Sequence, residues 1–295
     1  MHLKKYEEKL QNLNNILTKV NNSKNILLID IMKLTRKLKF DISNALLNIS
    51  LITEIKNQYA IKNKLLNTDK KITNKNKKKQ TSLWIYVTEK QKYSTDSYSR
   101  YEKTILNYVN KKHDDFIVVG ERALQFCKQN DFNVIKHFLE SEEKNKSLPW
   151  IISQLIKILH VENNYDHVNF VINTNKNYNG YFTLLPIDQF DVNKLAHQEL
   201  EPSRLNNFAN YKIYPGIEEF IDNEINIFLE NAVRSLMIES SFYNAKNDLV
   251  TTNKIINQIE DEITIVKKKI IRSKREKEIE EIVLLTRANK NFFED

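Results

Sequence analysis

From Tyr6 to about Ile55 the apolar residues recur at alternating steps of three and four: Tyr6, Leu10, Leu13, Leu17 and Val20, then Leu27, Ile31, Leu34 and Leu38, then Ala45 and Ile52. That spacing puts them on one face of a helix as a packing seam, interrupted by the polar Lys24 and Asp41. A helix of about 50 residues is roughly 75 Å long at 1.5 Å per residue, and it needs a partner along its length. The matching pattern stands at the other end of the chain. After Pro215 and Gly216 the residues Phe220, Ile225, Phe228, Ala232 and Leu236, then Leu249, Ile256, Ile259, Ile263, Val266 and Ile270 keep the same spacing, with no later proline or glycine. About 70 residues of helix are predicted there, roughly 105 Å, pairing antiparallel with the first.

Between the two seams the period changes. Residues 67–81, "NTDKKITNKNKKKQT", are polar, lysine-rich and aperiodic, and read as an exposed basic linker. Short β-branched and aromatic runs follow at 82–88, 114–120, 132–139, 167–175 and 181–187, interleaved with helical stretches at about 96–111, 121–130 and 148–162. Strand alternating with helix predicts a partly parallel sheet covered by helices. The expected fold class is therefore α/β plus a long coiled coil: an antiparallel pair of long terminal helices with an inserted small Rossmann-like α/β domain. The predicted segments are a shaft helix over 1–66, the linker over 67–81, the globular domain over 82–205 and a second shaft helix over 206–295.

Composition narrows the chemistry. Only three glycines and four prolines occur in 295 residues, against roughly twenty and fifteen at average usage. No GxxxxGK[ST] or GxGxxG is present to cradle a phosphate, so no bound nucleotide or other cofactor is expected on this chain. The single cysteine, Cys127, sits in "ALQFCKQ", which places it on a helix facing a core and fits a reducing compartment. The six histidines lack the HExxH spacing of a metal helix, and no serine sits in a GxSxG elbow, so neither a metal site nor catalysis is expected. No apolar run is long enough to span a bilayer, and the first residues lack the apolar core of a signal peptide.

Charge adds a localised feature. The net charge of +8 invites a nucleic-acid reading, but a sequence rich in Lys, Asn and Ile also follows from an AT-rich genome, so placement matters more than the sum. In "IVKKKIIRSKREKEIEEIVLL" (265–285) an apolar seam passes into a basic band of Lys267, Lys268, Lys269, Arg272, Lys274, Arg275 and Lys277, and then into the apolar Ile282, Val283, Leu284 and Leu285. Taken alone, this is a solvated coiled-coil face. A basic coiled-coil adaptor that binds nucleic acid or scaffolds a complex is the alternative function.

A long N-terminal helix, a small α/β domain and a longer C-terminal helix, in that order, resemble the gamma subunit of F-type ATP synthases. In the first helix "NNSKNILLIDIM" (21–32) keeps Asn22, Ser23, Ile26 and Met32 of the family's N-T-x-K-I-T-x-A-M segment. In the last helix Glu278, Ile279, Glu281, Ile282 and Val283 match its final I-T-x-E-[LI]-x-E-I-[VI] motif, and "FIVVGERALQFC" (116–127) looks like its second strand, glycine and following helix. The likeness spans nearly the whole chain. One segment departs from it: where the family carries a glycine-rich signature after the first strand, this chain reads "EKQKYSTDSYSRYE", without glycine.

The resemblance implies a non-catalytic central rotor shaft inside a hexamer of three alpha-type and three beta-type nucleotide-binding subunits, which hold the ATP and Mg. The basic band would face acidic levers of the catalytic subunits, and Ile282–Leu285 would turn in an apolar sleeve. An epsilon-like subunit or another load would sit on the globular foot, and no nucleic acid is expected as a partner. The altered loop points to a diverged motor whose load is something other than ATP synthesis, gliding among the candidates. Such a complex would be cytoplasmic, peripheral to the inner face of the cell membrane.

Overall fold

The computed structural model describes residues 2–59, 65–66, 81–91, 96–139, 147–176, 180–190, 195 and 212–291. Two long helices bracket the chain, α1 (His2–Gln58, 57 residues) and α5 (Ile217–Asn291, 75 residues). Between them run β1 (Ser82–Val87), α2 (Ser99–Tyr108), β2 (Asp115–Val119), α3 (Glu121–Gln129), β3 (Asn133–Phe138), α4 (Leu148–Asn163), β4 (His167–Val171) and β5 (Phe182–Leu185). Each strand lies inside one of the runs expected from sequence. Most of the linker, residues 67–80, falls outside the described residues.

The strands form one sheet in the order β3-β2-β1-β4-β5, with β1 to β4 parallel and β5 antiparallel to β4. Trp84 of β1 stands level with Phe116 of β2 and with Asn169 of β4, which fixes the register of the central strands. Both faces are covered, so the inner strands read as continuous apolar runs such as "DFIVV" rather than alternating ones. Leu83, Ile85 and Val87 of β1 face one way and pack with Ile152 and Ile156 of α4, Ile42 and Ile52 of α1, and Phe228 and Leu236 of α5. Trp84 and Tyr86 face the other way, against Tyr101 and Ile105 of α2 and Ala123 and Cys127 of α3.

The chain divides into two compact units, one comprising Met1–Asp30 and Lys246–Asp295, the other Ile31–Ala245. In the first, Leu13, Ile263, Val266 and Ile270 are buried, with Leu3, Tyr6, Leu10, Leu17 and Ile259 packed beside them, and Lys9 Nζ lies 3.7 Å from Glu262. In the second, α1 and α5 run antiparallel, because Asp41 meets Arg234 while the later Asn48 meets the earlier Asn231. Those polar pairs sit inside the seam, with Asp41 and Asn48 both buried. A buried polar contact tolerates only one alignment of partners and so holds the register of paired helices.

Three expectations need correction. The first helix is longer than about 50 residues, beginning at His2. The helix expected from about residue 96 begins at Ser99, with Tyr98 at its N-cap position, and the Asp96 carboxylate ahead of it accepts the backbone N–H groups of Tyr98 and Ser99 at 3.2 Å each. The seam of α5 is not one-sided throughout: from Phe228 to Phe242 no residue is exposed. That stretch packs against the sheet's core as well as against α1.

Candidate functional site

The surface singled out by sequence lies on the C-terminal third of α5. Val266 and Ile270 are the last buried residues of the seam, and Lys267, Lys268, Lys269, Arg272, Lys274, Arg275 and Lys277 are all exposed around and beyond them. Among the described residues the band contains one ion pair, Arg272 to Glu276 at 3.0 Å, itself solvated and within one helix turn. Such a pair contributes little, so the band's positive charges stand largely unpaired by strong contacts among the described residues. The apolar tip follows on the same helix. Ile282, Val283, Leu284 and Leu285 are 43–67% exposed and Ile279 is 61% exposed, an apolar run that surrounds the helix rather than lining one face. Scattered surface apolar side chains are normal, but here four exposed ones stand in succession.

The N-terminal motif stands apart from this band. Asn22 and Ile26 are exposed, and the half-buried Ser23 donates its hydroxyl to the carbonyl of Lys19 at 3.2 Å. Taking the contact of Lys9 with Glu262 as the level mark, Asn22 and Lys267 are eighteen residues apart along the pair, roughly 27 Å at 1.5 Å per residue. Met32, also exposed, belongs to the other compact unit. Asn22, Ser23 and Ile26 therefore do not form one cluster with the basic band.

The sheet carries a second polar constellation that the sequence reading did not find. In open parallel sheets the helix N-termini at the strands' carboxyl ends are the usual anion sites. Here the chain's own groups occupy them. Thr88 Oγ1 accepts the N–H of Ala123 in the first turn of α3 at 3.2 Å, and Gly120 supplies a backbone φ of 95° with Thr88 packed against its Cα. Asp96 accepts the N–H groups of Tyr98 and Ser99 at the start of α2, its carboxyl held below the usual range first by the Ser99 hydroxyl, and Arg122 closes over it at 2.9 Å while gripping Glu102 with two nitrogens at 2.7 and 3.0 Å. Those contacts push the Arg122 guanidinium further toward its charged form. Beside them, Glu239 of α5 is buried, accepting from Thr174 Oγ1 at 2.8 Å and from Lys176 Nζ at 3.0 Å. The available signal was the polar "ESSFYN" (239–244) inside an apolar helix, together with "NTN" (173–175) directly after a strand.

Cys127 faces the α3 side of the core, as expected, and burial pushes its thiol up to about 12. Among the described residues no group of three His, Cys, Asp or Glu side chains is placed to hold a metal ion, and no helix is long and apolar enough to cross a membrane.

No protein-family model matches the chain. Among solved structures it is similar to a chain of the Euglena gracilis mitochondrial ATP synthase, OSCP/F1/c-ring in rotational state 3, at 12% identity over 99% of this chain and 94% of that one, with a TM-score of 0.50. A second similar chain comes from the rotor of the same enzyme in rotational state 1, at 11% identity over 93% of this chain and 98% of that one, with a TM-score of 0.47. At such identity the first likeness is one of fold: two long terminal helices around a small mixed sheet, the gamma-like arrangement expected from sequence. At the level of sequence the relation is much nearer to a protein of Ureaplasma parvum serovar 3, the uncharacterized protein UU050, at 45% identity over 293 residues, which is 99% of this chain and 96% of that protein. The chain belongs to the same family as UU050.

Proposed function

We propose that this chain is the central shaft of an F-type or F-like rotary ATPase. The observation that carries the reading is the end of α5, where an exposed basic band with a single solvated ion pair among the described residues gives way, on one unbroken helix, to a wholly exposed apolar tip. A charged collar can be pushed by acidic levers through long-range attraction, which tolerates sliding better than fixed hydrogen bonds. An apolar tip can turn in an apolar sleeve because burial has no preferred direction. The fold shared with the Euglena ATP synthase chain supports the same reading.

In this role the chain is not catalytic. ATP and Mg are held by three alpha-type and three beta-type subunits, and each nucleotide-driven closure favours one angle of the shaft over the others, a population shift among three rotational states. The complex works on the cytoplasmic side, peripheral to the membrane. Its load, an epsilon-like subunit or other machinery on the sheet domain, is a task other than synthesis, gliding among the candidates.

The test is a pull-down of the tagged chain from its native cell, with the mass and stoichiometry of whatever copurifies. Two kinds of P-loop subunit, three of each per shaft, are expected. Nucleic acid or an unrelated scaffold in their place overturns the reading in favour of a basic coiled-coil adaptor. Within the complex, reversing Lys267, Lys268 and Lys269 to Glu should leave assembly intact and lower ATP turnover roughly two- to fivefold, the scale of losing exposed charge contacts.

A further inference from the structure

Open parallel sheets take their ligands where the strand order reverses, because the connections diverge there and leave a crevice outside the strands' carboxyl ends. In this sheet that point lies between β1 and β4: β1 leads through α2 to β2 on one side, and β4 flanks it on the other. The crevice is filled by α5. Asn244 bridges it with the two ends of one amide, Oδ1 accepting from Nδ2 of Asn173, just past β4, at 2.6 Å, and Nδ2 donating to Oε2 of Glu89, just past β1, at 2.9 Å. Ser241 Oγ donates to the other carboxylate oxygen of Glu89 at 2.8 Å, and the Glu89 N–H donates to the Tyr98 hydroxyl at 2.9 Å. On the β4 side Thr174 and Lys176 hold Glu239, and the Thr174 N–H donates to the Tyr101 hydroxyl at 2.7 Å.

We propose that this polar joint locks α5 to the sheet against rotation, so that torque on α5 reaches whatever the sheet domain carries; the inference rests on the shaft reading above. Apolar packing is non-directional and lets a helix roll or slide at small cost, whereas charge-assisted hydrogen bonds fix angle as well as distance. One attachment makes a pivot. Two attachments, to adjacent strands about 4.8 Å apart, resist turning. Asn173, Thr174 and Glu239 are buried, which shields the Thr174–Glu239 bond from water, while Glu89, Ser241 and Asn244 are half-buried. Among the described residues Asn173 also leaves its Oδ1 without a hydrogen-bond partner. A buried amide oxygen in that state costs stability, and an apolar plug would fill the crevice at less cost, so what the polar side chains contribute is a unique position.

The test compares three variants of the full chain. Asn244→Ala removes the bridge. Glu89→Gln combined with Asn244→Asp rebuilds it with donor and acceptor exchanged, since the glutamine amide then donates to the aspartate. Asn48→Ala is the control, removing contacts of similar strength from Asn48 to Glu224 at 2.7 Å and to Asn231 at 3.2 Å elsewhere between α1 and α5. Amide exchange is followed in α5 residues 236–245, and stall torque is measured in the complex with nucleotide-binding partners while the sheet domain is anchored. Asn244→Ala should speed exchange there roughly tenfold or more and reduce stall torque about twofold with free-running turnover unchanged. The double variant should restore both, and Asn48→Ala should leave torque at the wild-type value.

The proposal is overturned if Asn244→Ala leaves torque unchanged, or if Asn48→Ala lowers torque as much. If Asn244→Ala fails to fold, Ser241→Ala, which removes one bond from Glu89, makes the same comparison at smaller amplitude. A wild-type chain that develops no torque on hydrolysis defeats the shaft reading instead, and the exchange data then decide by themselves whether the joint holds α5.

Discussion

Replacing Lys176 with Met tests the buried charge at the sheet's edge most directly. Glu239 has 1% of its side chain exposed and Lys176 14%, so their 3.0 Å pair lies largely out of water. Methionine keeps the length and volume of the lysine stem and removes the charge. Taking one partner from a buried pair costs about 3–5 kcal/mol, because the other charge stays in a medium that solvates it poorly. Glu239 keeps its bond from Thr174 Oγ1, so the lower end applies, about 3 kcal/mol. At about 2 °C per kcal/mol for a chain of this size, the Tm should fall by about 6 °C.

Tryptophan fluorescence is a suitable readout, because Trp84 is buried in the same compact unit and enters water when that unit unfolds. A second variant, Lys176→Met with Glu239→Leu, removes both charges and should recover most of the loss. A Lys176→Met chain within about 1 kcal/mol of wild type would refute the buried-pair argument, as would a double variant no more stable than the single one.

Three further outcomes can be checked on the isolated chain. Gly120→Ala should leave little folded protein by circular dichroism, losing roughly 3 kcal/mol or more, because a Cβ there meets Thr88 Oγ1 at 2.4 Å and Thr88 O at 2.5 Å at a backbone φ of 95°. Cys127, buried with its thiol raised to about 12, should resist a disulfide-exchange reagent at pH 8 until denaturant is added; fast labelling of native protein would contradict its burial. For Asp41, burial raises the carboxyl pKa first and Arg234 lowers it second. Folding therefore favours the protonated acid, and this stabilisation is lost as pH rises through the folded pKa. Asp41→Asn should stabilise the chain at neutral pH and lose that advantage in acid; the opposite trend in denaturation midpoints would show that Arg234 dominates.

The two long helices and the strands were legible because their signals are local. The three/four spacing from Tyr6 to Ile52 and again from Phe220 to Ile270 places a stripe on one face of a helix, and nearly glycine- and proline-free sequence leaves nothing to stop it. Strands that are covered on both faces read as short apolar runs whatever their neighbours. The basic band and apolar tip of α5 were legible for the same reason, since an exposed side chain on a continuous helix stands where its number puts it.

The joint between α5 and the sheet was not legible. Glu89, Asn173, Thr174, Lys176, Glu239 and Asn244 come from three separated stretches, and each alone reads as an ordinary polar residue of a loop or helix face. The loop after β1 drew notice for the glycine it lacks, whereas its contribution is the carboxylate of Glu89, which accepts from Ser241 and Asn244. Burying Glu239 is favourable only because Thr174 and Lys176 arrive from β4 to meet it, and no periodicity encodes that meeting. The absence of any exposed residue on α5 from Phe228 to Phe242 has the same origin, because the sheet and α1 together decide how many faces of that helix water can reach. By itself, then, the sequence determined the elements, their order and the charge pattern of the exposed α5 end, all set by interactions within a few residues. Which polar groups stand buried and paired was decided only by tertiary structure, since that depends on the desolvation of residues far apart in the chain.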